Sequence, residues 1–264
     1  MFTRISLGQY IPGESVMHKL DPRTKMLLVA AFMTAVFTAN TNLQLVLLAV
    51  TCLIIVLLSR INISLYLQGV KPFWFIILVT VLAQIILTGG STFIDLQILK
   101  ISGWGFTTGA AIGIRLVLIL LMAQLLSITT TPMALTGSLE KLLKPLSRVG
   151  FPVQETVMIM NISLRFIPLF IEEADRISKA QMGRGADFKS RNISKRIRNI
   201  ISILVPLFTG AFKRANDLAR AMEARCYTGG ERTSLYELRL AGKDYLVMAI
   251  TIIWAVLVSG DWFC

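Results

Sequence analysis

Long apolar runs separated by short polar breaks occupy both ends of the chain, and between them lies a stretch whose apolar residues recur at helical spacing. A bilayer span needs about 20 mostly apolar residues. Residues 26–39 and 43–58 are apolar runs divided only by Asn40, Thr41 and Asn42, the pattern of two helices joined in a tight hairpin with a polar tip. Residues 69–88 follow, with Phe73, Trp74 and Phe75 near one end, where an interfacial aromatic belt belongs. Residues 109–130 make a fourth run, and Tyr245 to Ser259 a fifth, short but extended by Asp261 and Trp262 toward the far interface. The pattern predicts an all-α, polytopic membrane protein of about five spans. Its parts are an N-terminal membrane domain over 1–131, a helical cytoplasmic or interfacial domain over 132–242, and a C-terminal span over 243–264.

The middle domain is too basic to lie in lipid throughout and too apolar to be a linker. Val153 to Phe170 is apolar but interrupted by Glu155, Asn161 and Arg165, and Pro168 should bend it. It is expected at the membrane interface, with a sixth span as the alternative. Placed on helices, two stripes at spacings of three and four each end in an arginine. Phe170, Ala174, Ile177 and Gln181 lead to Arg184, with Gly185 as the helix stop. Phe208, Ala211, Ala215, Leu218 and Met222 lead to Arg225, with Lys213, Arg214, Asp217 and Arg220 off the stripe and a stop expected at Gly229 and Gly230. The segments Gly183-Arg184-Gly185 and Ala224-Arg225-Cys226 therefore share one form, an arginine in the last turn between small residues. Its planar fork can reach past the helix end toward a partner's carboxylates or carbonyls. The alternative is an arginine that only complements the negative helix terminus. Ala211, Ala215 and Ala219 form a small-residue ridge along which a second helix can approach, which predicts that the two helices cross.

Composition sharpens this reading. Of 264 residues, 55% are hydrophobic and 16% charged, more apolar than a soluble domain of this size requires. The net charge of +12 has a simple cause in a membrane protein, since basic residues collect on the cytoplasmic side. Arg4, Lys19, Arg23 and Lys25 precede the first run, Arg60 and Lys71 follow the second, Lys100 alone lies between the third and fourth, and the middle domain is rich in both types. That distribution places the N-terminus inside and the C-terminus outside. Arg115 falls within a span, where it either snorkels or pairs. No cleavable leader is expected, because the first 25 residues hold no long apolar run. Cys52, Cys226 and Cys264 have neither metal-site nor disulfide spacing.

Rival functions leave thinner traces. The single histidine, His18, and the lack of H-E-x-x-H or nucleophile-elbow motifs speak against an enzyme. No G-x-x-x-x-G-K-[ST] loop occurs, so any ATP must be used by another polypeptide. The basic run from Lys189 to Arg198 lacks the interleaved aromatics of a nucleic-acid platform, and anionic lipid is its simpler partner. A self-sufficient secondary transporter would have to work with Arg115, Gln84, Gln124 and Pro72.

Three blocks carry a family resemblance: HKLDPRTKM (His18 to Met26), LRFIPLFIEEADRISKAQMGRGADF (Leu164 to Phe188) and LVPLFTGAFKRANDLARAMEARCYTG (Leu204 to Gly229). In this order they resemble the transmembrane T component of energy-coupling factor (ECF) transporters, over nearly the whole chain. The resemblance implies a multi-pass protein of a prokaryotic cell membrane whose amphipathic coupling helices cross and insert two arginine motifs into grooves on two ATPase subunits. Gly183, Arg184, Gly185, Ala224, Arg225 and Cys226 are the matching positions; the family's usual motif is Ala-Arg-Gly, so Gly183 and Cys226 depart from it. It further implies that the ATPases use ATP and magnesium, that this chain binds no cofactor, metal or nucleic acid, and that a membrane-embedded S component binds the substrate. A vitamin or other micronutrient shared among S components is the expected cargo, with a dedicated cobalt or nickel transporter as the alternative.

Overall fold

The computed structural model describes residues 10–87, 92–96, 99–188, 190–228 and 242–259. These residues are overwhelmingly helical and fall into two compact units, one built from the segments up to Ser138 together with the C-terminal helix, the other running onward from Leu139.

In the first unit, α1 (Val16–Lys19) leads into α2 (Pro22–Thr38), which starts where Asp21 caps it and Pro22 supplies a preset φ. The polar tip Asn40 to Asn42 then reverses the chain into α3 (Asn42–Leu58). Thr41 and Gln44 form a capping box: the Thr41 hydroxyl accepts from the Gln44 N–H, and Gln44 Oε1 accepts from the N–H groups of Asn40 and Thr41. Gln44 also donates through Nε2 to the Val258 carbonyl at 2.8 Å, tying the hairpin tip to the end of the last helix.

The third apolar run begins earlier than its hydropathy suggests. The helix α4 (Ile63–Val70), a 3-10 turn at Lys71–Phe73 and α5 (Trp74–Leu87) make one stretch of 25 residues. Pro72, which cannot donate to an α-helical ladder, sits in the turn. Beside it the Gln124 side chain lies over Gly69, where an added Cβ would collide with its amide, and donates to the Leu65 carbonyl. A small antiparallel pair, β1 (Thr92–Leu96) and β2 (Leu99–Ser102), then interrupts the helical chain. It adds a hairpin to a fold expected to be helical throughout; the side chain of Lys100 in it lies outside the described residues.

The long helix α6 (Gly103–Thr129) packs against α2, α3, α4 and α5, and α10 (Gly242–Ser259) packs against α2. Their shared core is built from Val29, Phe32, Val36, Leu48, Met122 and Val258, all nearly inaccessible. Glycines set the α5–α6 approach. A Cβ at Gly109 would meet Ile85 Cγ1 at 2.9 Å and the Val81 carbonyl oxygen at 3.2 Å, and one at Gly113 would meet Val81 Cγ2 at 2.9 Å. Gly109 and Gly113, in G-x-x-x-G spacing, carry this contact. Gly109→Leu should cost about 1–3 kcal/mol by overpacking, read as a lowered unfolding temperature of the detergent-solubilised protein. An unchanged transition would mean that α5 swings away without loss.

Arg115 lies in the middle of α6, and its NH2 group donates to the Ala39 carbonyl at the C-cap of α2. The charge therefore closes a helix end, where a cation also faces the favourable pole of the dipole. Two stretches are long and apolar enough to cross a bilayer by length and composition, Ile63–Leu87 and Gly105–Thr129, and Asn42–Leu58 is a shorter apolar helix. Asp261 and Trp262 lie outside the described residues.

The division of the chain into the two units falls within α7 (Pro132–Leu143). The second unit contains two helices of unusual length, α8 (Val153–Gly183, 31 residues) and α9 (Ile193–Ala224, 32 residues). Each runs on through an internal proline, Pro168 and Pro206. Val153 to Phe170 is thus the first half of a helix that continues unbroken to the first arginine segment.

Candidate functional site

Both arginine segments are helix C-caps, and they share one cap conformation and one hydrogen-bond pattern. Arg184 caps α8 with φ −90° and ψ 10°; Arg225 caps α9 with φ −94° and ψ 17°. After Arg184, the N–H of Gly185 donates to the Met182 carbonyl and that of Ala186 to the Gln181 carbonyl, both at 3.0 Å. After Arg225, the N–H of Cys226 donates to Glu223 at 2.9 Å and that of Tyr227 to Met222 at 3.0 Å. This double bond pattern is the Schellman motif, which requires a left-handed residue directly after the cap. Gly185 fills that place with φ +88° and Cys226 with φ +57°.

The second helix therefore stops at Cys226, three residues before the glycines expected to end it; Gly229 and Gly230 lie outside the described residues. The hydrogen-bond pattern selects the stop, and Cys226 adopts the left-handed conformation despite its Cβ, at a cost of about 1 kcal/mol. Cys226→Gly should remove that cost and slow amide exchange at Tyr227 about fivefold by hydrogen–deuterium exchange. Faster exchange would show that contacts of the thiol matter more than the backbone strain.

Both arginine side chains are exposed, as are Gly183 and Ala224, and neither guanidinium has a partner among the described residues. A Cβ at Gly183 or Gly185 would meet nothing within 4 Å. Small residues at these positions leave the approach to each arginine open.

What holds the two ends in relation is the packing of α8 on α9. Arg214 donates to Glu173 Oε2 at 2.9 Å across the two helices, both side chains about one third exposed. Glu173 lies eleven residues before Arg184, and Arg214 eleven before Arg225. At a rise of about 1.5 Å per residue, each arginine stands about 16 Å along its own helix from the shared ion pair. The link between the helices is pinned as well: Asn192 caps α9 by accepting from the N–H of Ser194, and Asn199 Nδ2 donates to the Asp187 carbonyl at 2.7 Å.

The stripe on α8 lies where its spacing placed it, with Phe170, Ala174, Ile177 and Gln181 all half-buried. On α9 the covered face is rotated. Leu207, Ala211, Arg214, Leu218 and Met222 are half-buried, whereas Phe208, Ala215 and Ala219 are exposed. Arg214, expected off the stripe, is drawn onto it by Glu173, and of the alanine ridge only Ala211 is partly covered. Exchanging the pair, with Glu173→Arg and Arg214→Glu together, should restore stability that either change alone lowers by about 0.5–1 kcal/mol, measured as a double-mutant cycle.

The block His18 to Met26 is assembled differently. His18 accepts at Nδ1 from the Ser15 hydroxyl at 2.7 Å and donates from Nε2 to the Ile11 carbonyl at 3.0 Å, so both ring nitrogens are used structurally. The Asp21 N–H donates to buried Asp244 Oδ1 at 3.0 Å, and buried Lys25 donates to the Thr129 carbonyl at 2.9 Å. Two residues of one short segment, Asp21 and Lys25, thus bind the ends of α10 and α6. The described residues contain no group of three or more side chains able to hold a metal.

A family model described as cobalt transport protein (CbiQ) matches residues 13–235, which include both arginine ends. The chain belongs to this family. It is 44% identical over 260 residues to the energy-coupling factor transporter transmembrane protein EcfT of Acidaminococcus fermentans, covering 98% of this chain and 97% of that protein. The EcfT proteins of Clostridium kluyveri and Bacillus subtilis are 39% identical over 268 residues and 42% identical over 259, with 97% or more of each chain covered. A T component of the CbiQ family is a membrane subunit of a transporter assembly, and the helical fold fits that role.

Proposed function

We propose that this T component docks two ATPase subunits, one on each arginine end, and passes their ATP-driven movement to a membrane-embedded S component that holds a vitamin or other micronutrient. The supporting observation is the pair of matched Schellman ends, each carrying an exposed arginine at the same chain distance from one interhelical ion pair. Two similar ends on a braced pair of helices suit two similar partners. A groove lined by carboxylates or carbonyls would receive each guanidinium bidentately. Gly183, Gly185, Ala224 and Cys226 keep the contact close, and ATP with magnesium belongs to the partners.

The chain sits in the bacterial cell membrane with five spans, N-terminus inside and C-terminus outside, so that both arginine ends face the cytoplasm with the basic residues. A second reading, a transporter dedicated to cobalt or nickel, is favoured by the description of the matching family model. Purification of a tagged chain from its native membranes, with mass spectrometry of what accompanies it, tests both. Two ATPases with several small membrane proteins support the shared role, and one metal-binding partner supports the dedicated one. Recovery of the chain alone, under conditions that keep such assemblies intact, would overturn the coupling role.

A further inference from the structure

The first half of α9 presents a surface that the arginine ends do not use. Ile193, Ile197, Ile201, Leu204 and Phe208 recur at spacings of three and four and are exposed, Ile193 at 74% and Phe208 at 61%. Arg196 and Arg198 lie on either side of this stripe, about 100° away from Ile197 around the helix in each direction. Lys195 and Arg191 extend the polar side. All four cations are exposed, and none has an ion-pair partner among the described residues. No acidic residue occurs from Phe188 to Asn216, so nothing along this stretch neutralises them.

We propose that residues 191–208 dock on the anionic headgroup layer of the membrane, with the isoleucine stripe in the acyl boundary and the basic side chains against lipid phosphates. The charge decides between occupants. A purely apolar protein partner would need the stripe alone, whereas cations flanking an apolar arc match a surface that is apolar in its depth and anionic at its rim. Each basic residue near such a surface improves partitioning about fivefold, so four of them make docking strongly dependent on anionic lipid. The inference rests on the membrane placement proposed above.

The test places a photoreactive diazirine residue at Ile197, and separately at Val79, an exposed position of α5, in the full chain with its partners. The assembly is reconstituted into bilayers of phosphatidylcholine alone, or of equal parts phosphatidylcholine and phosphatidylglycerol. The Ile197 probe should yield phospholipid adducts, increased at least fivefold by phosphatidylglycerol. The combined change Arg191→Gln, Lys195→Gln, Arg196→Gln and Arg198→Gln should remove that increase and leave the Val79 adduct unchanged. A protein adduct at Ile197 would overturn the proposal in favour of a partner subunit, and addition of water would overturn it in favour of a solvated face. Water addition at Val79 as well would instead defeat the membrane placement on which it rests.

Discussion

Arg184→Glu combined with Arg225→Glu should abolish ATP-dependent uptake while the chain still inserts in the membrane in normal amount. Both side chains are exposed caps with no partner among the described residues, so their reversal removes no contact that holds the described fold together. Glutamate at a helix C-terminus is unfavourable by a few tenths of a kcal/mol, too little to unfold helices of this length. Reversing a charge that sits in a partner's groove costs about 3 kcal/mol per site, about two orders of magnitude in affinity. Each single change should therefore weaken uptake, and the double change should leave none above background in membrane vesicles. Normal uptake by the double variant, at matched expression, would remove both arginines from the docking role.

Lys25→Met should destabilise the membrane unit by about 3 kcal/mol near neutral pH, the scale of breaking a buried ionic network. The methionine keeps the length of the stem but takes away the donor to the Thr129 carbonyl and a cation whose charge offsets both Asp21 and Asp244. The native lysine carries a pH signature. Burial lowers its ammonium to about 8, against the pull of the two carboxylates, whereas an unfolded chain holds it near 10.4. Between those values the unfolded chain binds more protons than the folded one, so stability should rise with pH across that window. Thermal unfolding between pH 8 and 10 should show the rise in the wild type and a flatter profile in Lys25→Met. Equal slopes would place the titration elsewhere.

The helices and the two arginine ends were legible in the sequence because they rest on local patterns. Apolar runs broken by Asn40 to Asn42 give α2 and α3, and the repeated small-Arg-small segments end α8 and α9 where the caps form. The Thr41-x-x-Gln44 capping box and the Gly109-x-x-x-Gly113 pair were also present in the sequence as signals, and their spacing alone would have marked the hairpin tip and the α5–α6 contact. Other features depend on distant partners. Arg214 reads as a polar-face residue until Glu173, from another helix, makes it part of the seam. The exposure of Phe208 and Ala215 follows from the same rotation, and in a protein expected to meet lipid the most apolar arc need not face its own core. In the sequence Lys25 is one more basic residue before a span, and only the fold brings it to Thr129.

Native mass spectrometry of the assembly purified in mild detergent tests the central claim most directly, by counting ATPase subunits on each chain. The wild type should carry two, Arg184→Glu and Arg225→Glu should each shift the population toward one, and the double variant should carry none. Two ATPases retained on the double variant would contradict the assignment of one docking site to each arginine end.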